Sequence, residues 1–227
     1  MKNSRIPLSH CDTILFDLDD TLIGSERIYH EIYHELGLDL ATLEQARAAV
    51  KQQLGPGHVA ARNRLLYFKK YLELRQEFSA TLLLTLSDRY ELLLADKIEQ
   101  ELRSTKHRDL LKDLAQTHQL GIITNENLRT QMIKLRQIDP HNDTFAFIVT
   151  SEEVGFEKPQ EPIVTRALAM AAKGPEAILM VGDSISNDLE PFAQRGCAVL
   201  GTTQFRNEST GPNQFAWIDS LEALLES

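Results

Sequence analysis

The chain has 227 residues, 42% hydrophobic and 25% charged, which is enough to bury a sizeable core and is the balance of a globular protein rather than a disordered or fibrous one. A formal net charge of -9 argues against a polyanion-binding surface, so neither nucleic acid nor a membrane surface is an expected partner. No run approaches the roughly 18 apolar residues of a membrane span, the N-terminal stretch does not read as a signal peptide, and Cys11 and Cys197 lack the paired spacing of zinc or redox sites, so a cytoplasmic protein with two reduced thiols is expected.

Taken in chain order, the first apolar run is TILFDLD from Thr13, followed by LGIITN from Leu120, FAFIVTS from Phe145, AILMVGD from Ala177 and CAVLG from Cys197. Runs this short and this continuously apolar, ending in polar residues, predict buried parallel strands. The stretches LRTQMIKLRQI and EPIVTRALAMAAK between the later runs predict helices, and the alternation predicts a doubly wound α/β sheet. From about Gly24 to Thr105 the sequence favours helix without a convincing strand, interrupted near Gly37 and at GPG from Gly55. This predicts an α/β core of residues 1–23 and 106–227 carrying an all-helical cap of residues 24–105. Within it, GPGHVAARNRLLYFKKYL read as one helix puts Ala61, Leu65, Phe68 and Leu72 on a buried stripe. His58, Arg62 and Lys69 then follow its flank, and Arg62 is the candidate for reading an anionic or oxygen-rich part of a substrate.

The chemistry-bearing residues gather where the strands end. Alternate residues of an extended segment share a face, so Asp17, Asp19 and Thr21 of DLDDT start on one side. Two carboxylates placed together call for a cation between them or a shared proton. A calcium loop is a poor match, because Leu22 stands where an EF-hand requires Gly. The other strand ends supply Thr124 and Asn125, Lys158, and Asp183 with Asp188, all where open α/β sheets bind ligands. Singly, Thr124 reads equally as a helix N-cap, Lys158 as a solvated lysine and Asp188 as part of an ordinary first helical turn; their joint order favours a site.

In this order the motifs resemble the four signatures of the haloacid dehalogenase-like hydrolases: Asp17 to Thr21, Thr124, Lys158, and Gly182-Asp183 through Asp188. The insertion between the first two is similar to the small helical cap of one subgroup. The resemblance implies a Rossmann-like core and Mg²⁺-dependent hydrolysis of a small phosphomonoester, such as a sugar phosphate or nucleoside monophosphate, through an aspartyl phosphate. It implies Asp17 as nucleophile and Asp19 as acid and then base. Mg²⁺ would be held by Asp17, the Asp19 backbone carbonyl and Asp183, with Asp188 acting through a metal-bound water or Lys158. Thr124, Asn125 and Lys158 would hold the phosphoryl oxygens. By the same resemblance Asp19 separates phosphatases and mutases from dehalogenases, and Asp20, where such mutases usually carry Gly, weakens the mutase alternative. The oligomeric state stays open, and a monomer is compatible with all of this.

Two readings of other classes compete. His30-Glu31-Ile32-Tyr33-His34 matches the HExxH of zinc peptidases, but Leu40 stands where the longer pattern has its third histidine. A non-catalytic phosphoacceptor or binding protein also gathers acidic residues, a Thr and a Lys at strand ends. Receiver domains of that kind are shorter and place the acceptor on a middle strand, by resemblance, whereas here the acidic pair follows the first.

Overall fold

The computed structural model describes residues 8–205 and 214–226. Six parallel strands form one sheet: β1 (Thr13–Phe16), β2 (Gln119–Thr124), β3 (Phe145–Thr150), β4 (Ile178–Gly182), β5 (Ala198–Thr202) and β6 (Ala216–Ile218), in the order β3-β2-β1-β4-β5-β6. The five apolar runs thus form the strands expected of them. The sixth strand, three half-buried residues at the sheet edge, is an addition the sequence reading lacks.

The runs are apolar at successive positions because the sheet is covered on both faces. Ile14, Phe16, Leu120, Ile122, Leu179 and Val181 belong to one core, whereas Leu15, Ile123, Ile178 and Met180 belong to the other. Side chains one residue apart point to opposite layers. Gly121 is required by a close approach, since a Cβ there would sit 2.4 Å from the Phe147 ring.

Between β1 and β2 the chain is helical: α1 (Ser25–Glu35), α2 (Leu40–Leu54), a 3-10 turn at Val59–Arg62, α3 (Arg64–Leu74), α4 (Ala80–Arg103) and α5 (His107–Ala115). Asp39 and Ser79 cap α2 and α4 by accepting from the Thr42 and Leu82 amides at 2.8 and 3.1 Å. At the entry and exit of this helical segment, the Gly24 amide donates to the Glu101 carboxylate at 3.0 Å, and Arg27 pairs with the same carboxylate.

The segment from Gly55 to Leu72 is not one helix. Asn63 interrupts it, its extended backbone and side-chain oxygen capping α3 through the Leu65 amide at 2.9 Å. Of the expected stripe Ala61, Phe68 and Leu72 are buried as expected, whereas Leu65 is exposed, and α3 buries Tyr67 and Tyr71 in addition. His58 caps the 3-10 turn and Lys69 pairs with Glu73 on the outside, so neither continues a flank with Arg62.

The remaining helices are α6 (Leu128–Ile138), α7 (Ser151–Val154), α8 (Glu161–Ala171) and α9 (Glu190–Ala193), the last preceded by a π-type turn at Ile185–Leu189. Cys11 and Cys197 are free and buried. Among the described residues no helix is long and apolar enough to cross a membrane.

Candidate active site

The sheet order reverses direction about β1, and the ends of β1, β2 and β4 open into a cavity of about 380 Å³ whose far wall comes from α1, α2 and the turn before α3. Asp17, Asp19, Thr124, Asn125, Lys158, Asp183 and Asp188, to which the resemblance gives a role in the site, line it together with Arg62.

Lys158 organises the floor. It is buried rather than solvated, and its ammonium donates to Asp17 Oδ1 at 2.7 Å, Asp188 Oδ1 at 2.6 Å and the Ile123 carbonyl at 2.9 Å. Asn125 fixes the backbone of Lys158 from both sides, accepting from its amide at 2.6 Å and donating to its carbonyl at 2.9 Å. Asp188 reaches the same spot because Gly182 has no side chain: a Cβ on Gly182 would lie 2.5 Å from that of Asp188. Asp188 Oδ2 also accepts from the Ser184 amide at 3.0 Å.

Burial pushes the Asp17 carboxyl up to about 7; Lys158 opposes this, and Asp188 and Asp19 add to it. Asp188 is likewise raised, by burial first and by Asp183 in addition, against Lys158. Burial disfavours the Lys158 cation, yet Asp17 and Asp188 overcome this and hold it charged. The carboxylates of Asp17, Asp183 and Asp188 lie within 4.8 Å of one another. An all-oxygen donor set of this density suits a hard divalent cation such as Mg²⁺, which relieves the mutual repulsion that one lysine leaves.

The Asp19 side chain is not part of that trio. It accepts from the Gln131 amide at 2.8 Å, from the Tyr29 hydroxyl at 3.4 Å and from the ammonium of Lys134, which is fully buried. Burial alone would raise its carboxyl; Lys134, with Gln131, outweighs it and holds Asp19 well below the usual carboxylate range. Gln131 also donates to Thr124 Oγ1 at 2.7 Å, linking the end of β2 to Asp19. Thr124 is therefore not an N-cap; Asn127 caps α6 instead, accepting from the Thr130 amide at 2.9 Å. Of the carboxylates expected together at the strand end, that of Asp19 is engaged by Lys134 and Gln131, and the three that group within 4.8 Å are those of Asp17, Asp183 and Asp188.

Asp20 adopts a left-handed conformation with φ of 59°, and its side chain accepts from the Glu26 amide at 3.1 Å, serving the start of α1, where Gly24 offers no side-chain cap. Sequence reasoning missed Gln131 and Lys134, and it missed the buried pair of Arg64 with Glu126, in which Arg64 also covers the Tyr29 ring at 4.2 Å. Arg62 bonds Glu157 through Nε at 2.8 Å.

His30 and His34 are exposed on α1, and among the described residues no third metal-binding side chain joins them. The neighbouring Glu31 and Glu35 are taken up by Arg27 and Lys97.

A family model described as haloacid dehalogenase-like hydrolase matches residues 11–196, and the chain belongs to that family. Among solved structures, a 2-haloacid dehalogenase from Pseudomonas syringae superposes with a TM-score of 0.64 at 24% identity, covering 95% of this chain and 97% of that one, a likeness of fold alone. A ribulose-1,5-bisphosphate 5-phosphatase of Halopiger xanaduensis is 31% identical over 191 residues, 78% of either chain. A glyceraldehyde 3-phosphate phosphatase of Methanothermobacter thermautotrophicus is 39% identical over 83 residues, 37% of this chain and 36% of that protein. Within the family, then, this chain is an enzyme of the phosphatase type.

Proposed function

We propose that the enzyme hydrolyses a small phosphomonoester with Mg²⁺ as cofactor and Asp17 as covalent nucleophile. The observation that carries this reading is the grouping of Asp17, Asp183 and Asp188 carboxylates within 4.8 Å, with Lys158 bonded to two of them. The named relatives act on ribulose bisphosphate and glyceraldehyde 3-phosphate, which favours a short phosphorylated metabolite here too.

Asp17, Asp183 and the Asp19 backbone carbonyl would hold the cation, with Asp188 holding Lys158 beside it. Bound there, the cation supplies positive charge where the transferring phosphoryl oxygens collect it. Asp17 attacks phosphorus, giving an aspartyl phosphate and expelling the alcohol; water then attacks that phosphorus and restores Asp17. Asp19 protonates the departing oxygen, which requires that it first leave Lys134 and take up a proton, and it later accepts a proton from the attacking water. Lys158, Thr124 and Asn125 position the phosphoryl group. The helical segment 24–105 acts as a cap over the core formed by 1–23 and 106–227, with Arg62 facing the leaving group.

The test is phosphate release by the purified full chain from a panel of phosphomonoesters. Activity should vanish on chelation and return with Mg²⁺, and Asp17→Asn should lose at least about 10³-fold in kcat with its thermal transition kept. Full turnover after rigorous chelation, or a normal rate in Asp17→Asn, would sink the reading.

A further inference from the structure

The wall opposite Asp17 carries cations that the phosphoryl chemistry does not use. Arg47 and Lys51 stand one turn apart on α2, and Arg62 follows in the 3-10 turn; all three line the cavity. Like charges at this spacing on a helix repel one another. Among the carboxylates that line the cavity, Asp19 is paired with Lys134, Asp17 and Asp188 with Lys158, and Glu126 with Arg64. Burial disfavours the Arg62 cation, and Glu157, with Glu126 and Asp19 at longer range, outweighs it, but among the described residues Glu157 alone bonds the Arg62 guanidinium.

Lys51 makes no ion pair among the described residues. Arg62 spends only Nε on Glu157, so its two terminal nitrogens donate no bond within the described protein. Arg47 contacts Glu44 through one nitrogen at 2.8 Å and lies 5.9 Å over the Tyr67 ring. Burial, then Arg47 and Arg62, press the Lys51 pKa down, as happens to an ammonium among cations with too few anions.

We propose that Arg47, Lys51 and Arg62 form a second anion subsite, so that the substrate is a phosphomonoester whose leaving portion bears a further phosphate or carboxylate. The inference rests on the phosphatase reading and narrows its substrate class. One anionic end would occupy the Lys158 floor, the other would be bound by the fork of Arg62 with the point charge of Lys51, and the chain between them would span the cavity. An uncharged leaving group would leave the three cations crowded and gain nothing from them.

The experiment compares substrate pairs matched except for the second charge, in Mg²⁺: a sugar bisphosphate against its monophosphate, and a phosphorylated hydroxy acid against the corresponding alcohol. The doubly charged member should be favoured about ten- to a hundred-fold in kcat/KM, chiefly through KM. Lys51→Gln with Arg62→Gln should cut that preference about ten-fold or more, and Lys51→Arg should retain most of it. Preference in only one pair identifies the second group as phosphate or as carboxylate. Hydrolysis of all the esters with no preference, or a preference that survives the double substitution, overturns this inference and returns the wall to a solvated face. Hydrolysis of none of them overturns the phosphatase reading, and this one with it.

Discussion

At the scale of single residues the least expected feature is the fully buried Lys134, whose ammonium meets Asp19 while lying 5.2 Å over the Tyr29 ring. It keeps Asp19 ionised, the state needed to take a proton from water and the wrong one for protonating a leaving oxygen. Removing the positive charge should raise the Asp19 pKa, so the acidic limb of the pH profile should move to higher pH in Lys134→Gln, by about one unit or more. The measurement is kcat against pH for an aryl phosphate, whose good leaving group makes hydrolysis of the aspartyl phosphate limiting, and a limb at its original position would assign Lys134 to packing alone. Most of the site was legible because Asp17, Thr124 and Asp183 stand at the ends of apolar strands, where function collects in such sheets, and Lys158 comes in the loop after the short helix that follows β3. Lys134 and Gln131 were not, because α6 carries them on its buried side. That side holds Thr130, Gln131 and Lys134 together with Ile138, while Leu128 and Met132 are exposed, so apolar periodicity gives no sign of the polar pair.

At the scale of elements, the cavity wall depends on how α3 sits between α1 and α4. Phe68 of α3 is fully buried, with its ring edge-on to Tyr90 of α4 at 5.4 Å and to Tyr33 of α1 at 6.5 Å. Phe68→Ala removes the central member of that cluster and should cost about 3–5 kcal/mol in denaturant unfolding. Leu65→Ala, on the exposed side of the same helix, should change stability by less than about 0.5 kcal/mol. Equal losses would restore the stripe expected from a continuous helix. The signal for the break lay at Asn63, a strong N-cap type, but the helix-favouring run around it masked the cap. The strands were easier to read, since a sheet covered on both faces turns each one into an unbroken apolar run. Ala216–Ile218 escaped because three half-buried edge residues make neither a run nor an alternation.

At the scale of the whole molecule, polar ties join the helical segment to the sheet, and their burial decides which of them matters. Arg129–Glu91 and Arg62–Glu157 are partly exposed, and pairs of that kind contribute about 0–1 kcal/mol and weaken with salt. Arg64–Glu126 is different: both side chains are withdrawn from solvent, Arg64 also donates to the Arg62 carbonyl at 2.6 Å, and Glu126 bonds the Asn127 amide at 3.0 Å. Removing one charge of such a pair strands the other, which costs about 3 kcal/mol. In Glu126→Gln the stranded guanidinium regains water if α2 and α3 swing away from the sheet, so the cost should appear as opening of the cavity rather than as uniform loosening. Hydrogen exchange followed peptide by peptide should then speed up across residues 40–74 and stay unchanged in β1, β2 and β4. Glu91→Gln, which removes only an exposed tie, should alter neither. KM for the preferred substrate should rise in Glu126→Gln, because the cations of the far wall travel with the segment that has opened. Exchange that quickens equally in strands and helices would mean that Arg64–Glu126 supports the fold at large, and it would count against the proposed role of residues 24–105 as a cap.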